Sequence, residues 1–197
     1  MPTEGTPPPS SSVEDVELFV NEHLLEYHAY VGRIASVWAM LEFRIDQLLW
    51  LMVGVDQTYG ACLTSQMMGT TPRLRSLRAL MELRGSSPEL IKEIKSLTGS
   101  IIVPQEDRNR AVHDPWFIGG TTKTASQIRK AIIEDKVVYG KITRSLNDLE
   151  KIYKKAVSKL IEFNEIRDKI IAEQPSSLKE RQRKRRWRAP IGLDNQK

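Results

Sequence analysis

Between Ile34 and Met52 the apolar residues fall at three- and four-residue steps: Ile34, Val37, Trp38, Leu41, Ile45, Leu48, Leu49 and Met52. That spacing returns to one face of an α-helix of about 3.6 residues per turn. A stripe this wide, broadened by Leu51 and Val53, has to be covered by more than one neighbour, so the helix it predicts is central. Ahead of it Val13, Val16, Val20, Leu24, Tyr27 and Val31 repeat with the same period, with Ser12 as cap and Gly32 as the expected stop or hinge. Thr71-Pro72 and Ser87-Pro88-Glu89 open two further helices by N-cap and first-turn proline, and Gly85 closes the first of them. The second leads towards residue 113, with Gly99 and Pro104 as points of bending. Ser145 and Asp148 match a capping box in front of a last stripe that runs from Leu146 to Ile170 and is broken by Pro175.

Elsewhere the pattern is thinner. Gly54 to Gly69 reads as a short helix at most, with Met67 and Met68 as core filler. Trp116-Phe117-Ile118 and the alternating run Val137 to Ile142 are the strand signals, enough for a small hairpin. The predicted fold is therefore all-α, an antiparallel bundle of four or five helices with at most a small β-hairpin insert near 116–142. Residues 1–12, with four prolines and three consecutive serines, are an expected disordered tail; 13–174 form one helical domain; 175–197 are a second, basic tail.

Cys62 is the only cysteine, so no intramolecular disulfide forms, and no basic-then-apolar leader opens the chain. The most apolar stretch, 34–55, carries Glu42, Arg44 and Asp46, which argues against a membrane span. A cytoplasmic protein without membrane contact is the expectation. The net charge of +5 is uneven: residues 175–197 hold eight of the 30 basic and two of the 25 acidic residues, so 1–174 hold 22 and 23. Arg183, Lys184, Arg185, Arg186 and Trp187 combine phosphate-pairing cations with a stacking ring, which suits RNA; the alternative is a solvated end. Arg73, Arg75, Arg78 and Arg84 form a basic helix face, either solvated or in contact with an RNA backbone.

No metal-ligand cluster, phosphate-cradling glycine loop, dinucleotide fingerprint or Ser-His-Asp pattern occurs, so no metal and no cofactor are expected. His23 and His28, five apart and without a nearby cysteine or acid cluster, read as ordinary helix residues. One cluster stands apart: Asp107-Arg108-Asn109-Arg110-Ala111-Val112-His113-Asp114-Pro115. Pro115 disfavours helix at Asp114, which places these cations at a helix C-terminus, where the dipole favours them. Asn109 and His113, four apart, share a face; Arg108 and His113, five apart, stand roughly 140° from each other. Glu42, beside the central stripe, is either a charge on the solvated edge or a carboxylate that orients Arg108.

An Arg, a neighbouring polar residue and a His four to six positions further on, late in a helical chain, resemble the R-x4-6-H motif of the HEPN superfamily. The match is Arg108-Asn109-Arg110-Ala111-Val112-His113, in a helical setting covering about residues 13–172. The resemblance implies a metal-independent endoribonuclease of the toxin or phage-defence kind. His113 would act as acid or base, Arg108 would hold the phosphate, Asn109 would orient His113 or donate to the phosphate, and Arg110 would add RNA contact. One chain supplies one such His, so a homodimer with paired motifs in a shared cleft is implied, as is an antitoxin or other defence partner. Some members of the family carry a Tyr two residues after the motif His; here that position is Pro115, so regulation by modifying such a Tyr is not expected. The competing class is a non-catalytic helical interaction or RNA-binding module in which Arg108 and His113 pair structurally.

Overall fold

The computed structural model describes residues 13–118, 125–133 and 136–174. In chain order these form α1 (Val13–Val53), α2 (Gln57–Thr64), α3 (Thr70–Leu83), α4 (Pro88–Ser100), α5 (Ile102–His113), β1 (Trp116–Ile118), β2 (Ala125–Ile133), β3 (Lys136–Arg144) and α6 (Leu146–Glu173). The protein is mostly helical, as its periodicity predicts. The two expected tails and the Gly119-Gly120-Thr121-Thr122 segment lie outside the described residues.

Three expectations are corrected. The first concerns Gly32, which neither stops nor hinges a helix: α1 runs through it for 41 residues. The apolar phase continues from Val31 to Ile34 without a slip. A mid-helix glycine costs about 1 kcal/mol, less than the roughly 1.5–3 kcal/mol gained by burying one large apolar side chain. Ile34 and Trp38, just beyond, are fully buried.

The second concerns the approach to the motif. The chain breaks at Ile101, between α4 and α5, rather than at Gly99 or Pro104. Pro104 is the physical cause even so. It has no N–H to give to the carbonyl four residues back, and its ring crowds that carbonyl, so α4 ends at Ser100. Pro104 itself sits, buried, in the first turn of α5, where no such hydrogen bond is required.

The third concerns the sheet, which has three strands in the order β1-β2-β3, all antiparallel, and exceeds the small hairpin expected. Trp116, Phe117 and Ile118 pair with Gln127, Ser126 and Ala125, not with the 137–142 run. That run belongs to β3, whose nine residues pair along the whole of β2. A strand at 125–133 was not among the expectations.

The described chain divides into two compact units. One takes in the chain up to Met40 together with Ile102–Leu160. Its core joins Ile34 of α1, Ala111 of α5, and Leu149 and Ile152 of α6, with Tyr27, Tyr30, Trp116 and Tyr153 packed around them. Tyr27 and Trp116 meet at 5.7 Å between ring centroids, tilted by 52°, a favourable aromatic arrangement. The Ser145–Asp148 capping box opens α6 as predicted: Ser145 N–H donates to Asp148 Oδ2 at 3.0 Å, and Asp148 N–H donates to Ser145 Oγ at 3.2 Å. The Ser145 backbone donor holds the Asp148 carboxyl below its ordinary value.

The other unit takes in Leu41–Ile101 and the chain from Ile161. Here α3 and α4 pack against each other across a turn at Gly85. Gly85 has φ +69°, and Ser86 N–H closes back on the Met81 carbonyl at 3.0 Å, the glycine-dependent helix end that the sequence predicts. Leu41, Ile45, Leu48, Leu49 and Met52 are buried as the stripe requires, whereas Val53 is exposed. Met68, expected as core filler, is 87% exposed, because α2 stops at Thr64 and leaves it on a connecting segment. No helix among the described residues is long and apolar enough to cross a membrane.

A Cβ at position 32 would meet no atom within 4 Å. Gly32→Ala is therefore expected to stabilise the protein by about 0.5–1 kcal/mol, read as a raised urea midpoint with an unchanged slope.

Candidate functional site

The motif lies on α5, and the helix shows why so few of its residues are free to do chemistry. Ala111 is fully buried in the first unit's core, which turns its neighbours outward. Asn109 and His113 are exposed and Arg108 is half-buried. The Arg108 side chain bends across the helix surface to reach both. Its Nη1 donates to Asn109 Oδ1 at 2.9 Å and lies 3.4 Å from His113 Nε2. The roughly 140° between positions 108 and 113 is thus bridged by the length of the arginine, with the final turn intact. A guanidinium only donates, so a hydrogen bond in this contact requires Nε2 as the acceptor. Arg108 Nε is buried and has no hydrogen-bond partner among the described residues.

Three candidate residues are therefore together, with one role changed. Asn109 was expected to orient His113 or to donate to the phosphate; its Oδ1 holds Arg108 rather than His113. Arg110 does not join them, since its guanidinium faces Glu106 at 3.7 Å, one turn back along α5. Asp107 is tied to α6 by Lys155, which donates to it at 3.1 Å. Arg183, Lys184, Arg185, Arg186 and Trp187 lie outside the described residues.

Glu42 has an employment of its own in the second unit. Thr70 Oγ1 donates to its Oε1 at 2.8 Å, and Arg73 Nη1 stands 4.0 Å away. Arg73, expected on a solvated or RNA-facing surface, is only 12% exposed. Its Nε donates to Asp46 at 2.8 Å, while its terminal nitrogens donate to the carbonyls of Gly69 at 2.9 Å and Thr64 at 3.4 Å. It pins α1 to the α2–α3 connection. Burial pushes the Asp46 carboxyl up from its ordinary value; the charge and hydrogen bond of Arg73 pull it partly back.

Sequence reasoning missed the residues that fix the motif's end. Gln127 of β2 is 1% exposed. Its Nε2 donates to the Arg110 carbonyl at 3.0 Å, and its Oε1 accepts from Arg144 Nε at 2.8 Å. Trp116 Nε1 donates to the Ala111 carbonyl at 3.0 Å, and Ile128 N–H to the Pro115 carbonyl at 3.2 Å. The last turn of α5 is held by the sheet. A usable signal did exist: Ile128-Arg129-Lys130-Ala131-Ile132-Ile133 and Lys136-Val137-Val138-Tyr139 are two β-rich runs two residues apart.

No group of three or more His, Cys, Asp or Glu suited to a metal ion occurs among the described residues. Comparison with family models, curated proteins and solved structures finds no match for this chain.

Gln127→Leu should cost about 1–3 kcal/mol, because it strips the half-buried Arg110 carbonyl and Arg144 guanidinium of their partner. The Arg108–His113 proximity should loosen with it, seen as weakened cross-peaks between the two side chains by NMR. For Asp46 the sign is the reverse of the usual carboxylate. Its folded pKa is raised, so its contribution is fully present below the ordinary value of 3.8 and is lost as pH rises through the folded value. Arg73→Met removes the compensating cation. It should destabilise by about 3 kcal/mol at pH 7 and by clearly less near pH 4. Denaturation midpoints at the two pH values, with Asp46→Asn as the relieving second change, check this.

Proposed function

We propose that this protein is an endoribonuclease of the HEPN kind that needs no metal, and that Arg108, Asn109 and His113 carry the reaction. The observation that supports this most is the three-residue contact on the outward face of α5. A permanent cation stands beside an exposed imidazole and is fixed by an amide. RNA cleavage without a metal asks for those parts. Once Arg108 turns from His113 to the phosphate, His113 Nε2 takes the proton of a 2′-OH, the freed oxygen attacks the adjacent phosphorus, and the bond to the 5′-oxygen breaks. Arg108 neutralises charge on the phosphorane. The products are a 2′,3′-cyclic phosphate and a 5′-hydroxyl, whose proton has to come from an acid. A second copy's His113 would supply it, which is why the reading includes a two-fold homodimer. Asn109 serves by holding Arg108. A role in toxin–antitoxin or phage defence, with RNA as substrate and an antitoxin as partner, follows from the same resemblance.

The reading of α5 as part of an interaction module has its own support. The Arg108–His113 contact also serves a helix end structurally, and the second unit leaves Tyr59, Leu63, Met68 and Leu83 more than half exposed.

Incubation of the purified protein with total RNA in the presence of EDTA separates the two. Cleavage should persist with chelator and leave cyclic phosphate ends. His113→Ala should keep RNA binding while turnover falls by about 10²–10⁴-fold, the usual worth of a general acid or base. Cleavage by His113→Ala at the parent's rate would end the ribonuclease reading and leave the module.

A further inference from the structure

The basic charge of the folded part has an address that the sequence pattern concealed. Residues 1–174 hold 22 basic and 23 acidic residues, of which 125–144 supply five and two, so these twenty carry +3 and the rest −4. The five, Arg129, Lys130, Lys136, Lys141 and Arg144, all lie within β2 and β3. The two acids, Glu134 and Asp135, fall between the strands, outside the described residues.

The register sets out what these strands offer. β1 pairs with residues 125–127 only, so 128–133 and 136–141 continue as a two-stranded ribbon past the end of β1. Tyr139 and Lys141 are two apart on β3 and share a face, and Ile128 stands opposite Lys141 on that same face. All three are exposed, Tyr139 by 68% and Ile128 by 37%. The backbone positions that carry an exposed ring and an ammonium are roughly 7 Å apart along the strand, the scale of one extended nucleotide. At its root the ribbon is bonded to the motif: Gln127 to the Arg110 carbonyl, Ile128 to the Pro115 carbonyl.

We propose that the β2–β3 ribbon is a single-stranded RNA-binding arm, with Tyr139 stacking on a base and Lys141 pairing with an adjacent phosphate. It rests on the reading of α5 as an RNA site in naming the ribbon as the element that brings the strand there. The charge complementarity is that of a phosphate backbone. The exposed aromatic favours unpaired bases over a duplex, whose bases are already stacked.

The test uses the full chain and a labelled, unstructured RNA oligonucleotide, titrated at several salt concentrations, with binding and cleavage measured separately. Lys141→Gln should weaken binding and lower the salt slope by about 0.7, one single-strand phosphate contact. Lys141→Arg should restore both. Tyr139→Ala should weaken binding by about five-fold or more with the salt slope unchanged, since stacking releases no counterions. Both positions are solvent-exposed, and circular dichroism checks that each variant stays folded. Parent-like affinity and slope in the Tyr139→Ala/Lys141→Gln double variant would overturn the arm. So would an absence of RNA binding by the parent, or loss of all binding on deleting 176–197. If the ribbon variants weaken binding but the parent never cleaves, the arm stands and the ribonuclease reading falls.

Discussion

The last turn of α5 ends in carbonyls that have no partner within their own helix, and that turn is partly buried against protein. Water does not reach such groups freely, so the fold has to answer them. It does so with two side-chain donors from the sheet, the Gln127 amide and the Trp116 indole, and with the Asp114 N–H closing on Arg110. Each such bond contributes about 1 kcal/mol net, but leaving a buried carbonyl unanswered costs about 1–3 kcal/mol. By that asymmetry the sheet stabilises the helix end at which α5 stops. Arg144 then orients the Gln127 amide, and Trp116 carries the same turn into the aromatic packing around Ile34, Ala111 and Ile152. The position of Arg108 and His113 therefore depends on residues that follow them in the chain.

The same economy explains the division of labour among the arginines. Arg73 and Arg144 spend their nitrogens on buried or half-buried partners and serve as fasteners. Arg108 spends one nitrogen on Asn109 and His113, while its Nε is buried without a partner among the described residues. The charge distribution runs the same way: the helical part is slightly acidic and the strands are basic. The ribbon is attached to the turn that bears His113.

Much of the helical framework was legible. The stripe from Ile34 to Met52, the Gly85 helix end and the Ser145–Asp148 capping box are local features, set by residues within one or two turns of each other, and they appear where periodicity and capping chemistry put them. Pro104 also acted locally, although it ended the helix before it rather than bending it. The failures share a cause. Gly32 looked like a stop because its intrinsic cost is visible and the burial that overrides it is not. Met68 looked like core because composition shows that a residue is apolar, not whether another element covers it. The start of β2 was hard to see because Ala125-Ser126-Gln127 gains its strand character from two partners, one on either side.

The sequence by itself determined that the chain is mostly helical, where most of its helices begin and end, and that one Arg/Asn/His cluster stands at a helix C-terminus. Local backbone preference and a 3.6-residue period suffice for that, since both act over a few residues. Only the tertiary structure decided that Asn109 holds Arg108 rather than His113, that Glu42 belongs with Thr70 and Arg73, and that Gln127 and Arg144 brace the motif. Those choices are made by competition among hydrogen-bond donors for buried acceptors. Most of them join residues far apart in sequence, and even the neighbours Arg108 and Asn109 are paired by geometry that the folded helix alone supplies.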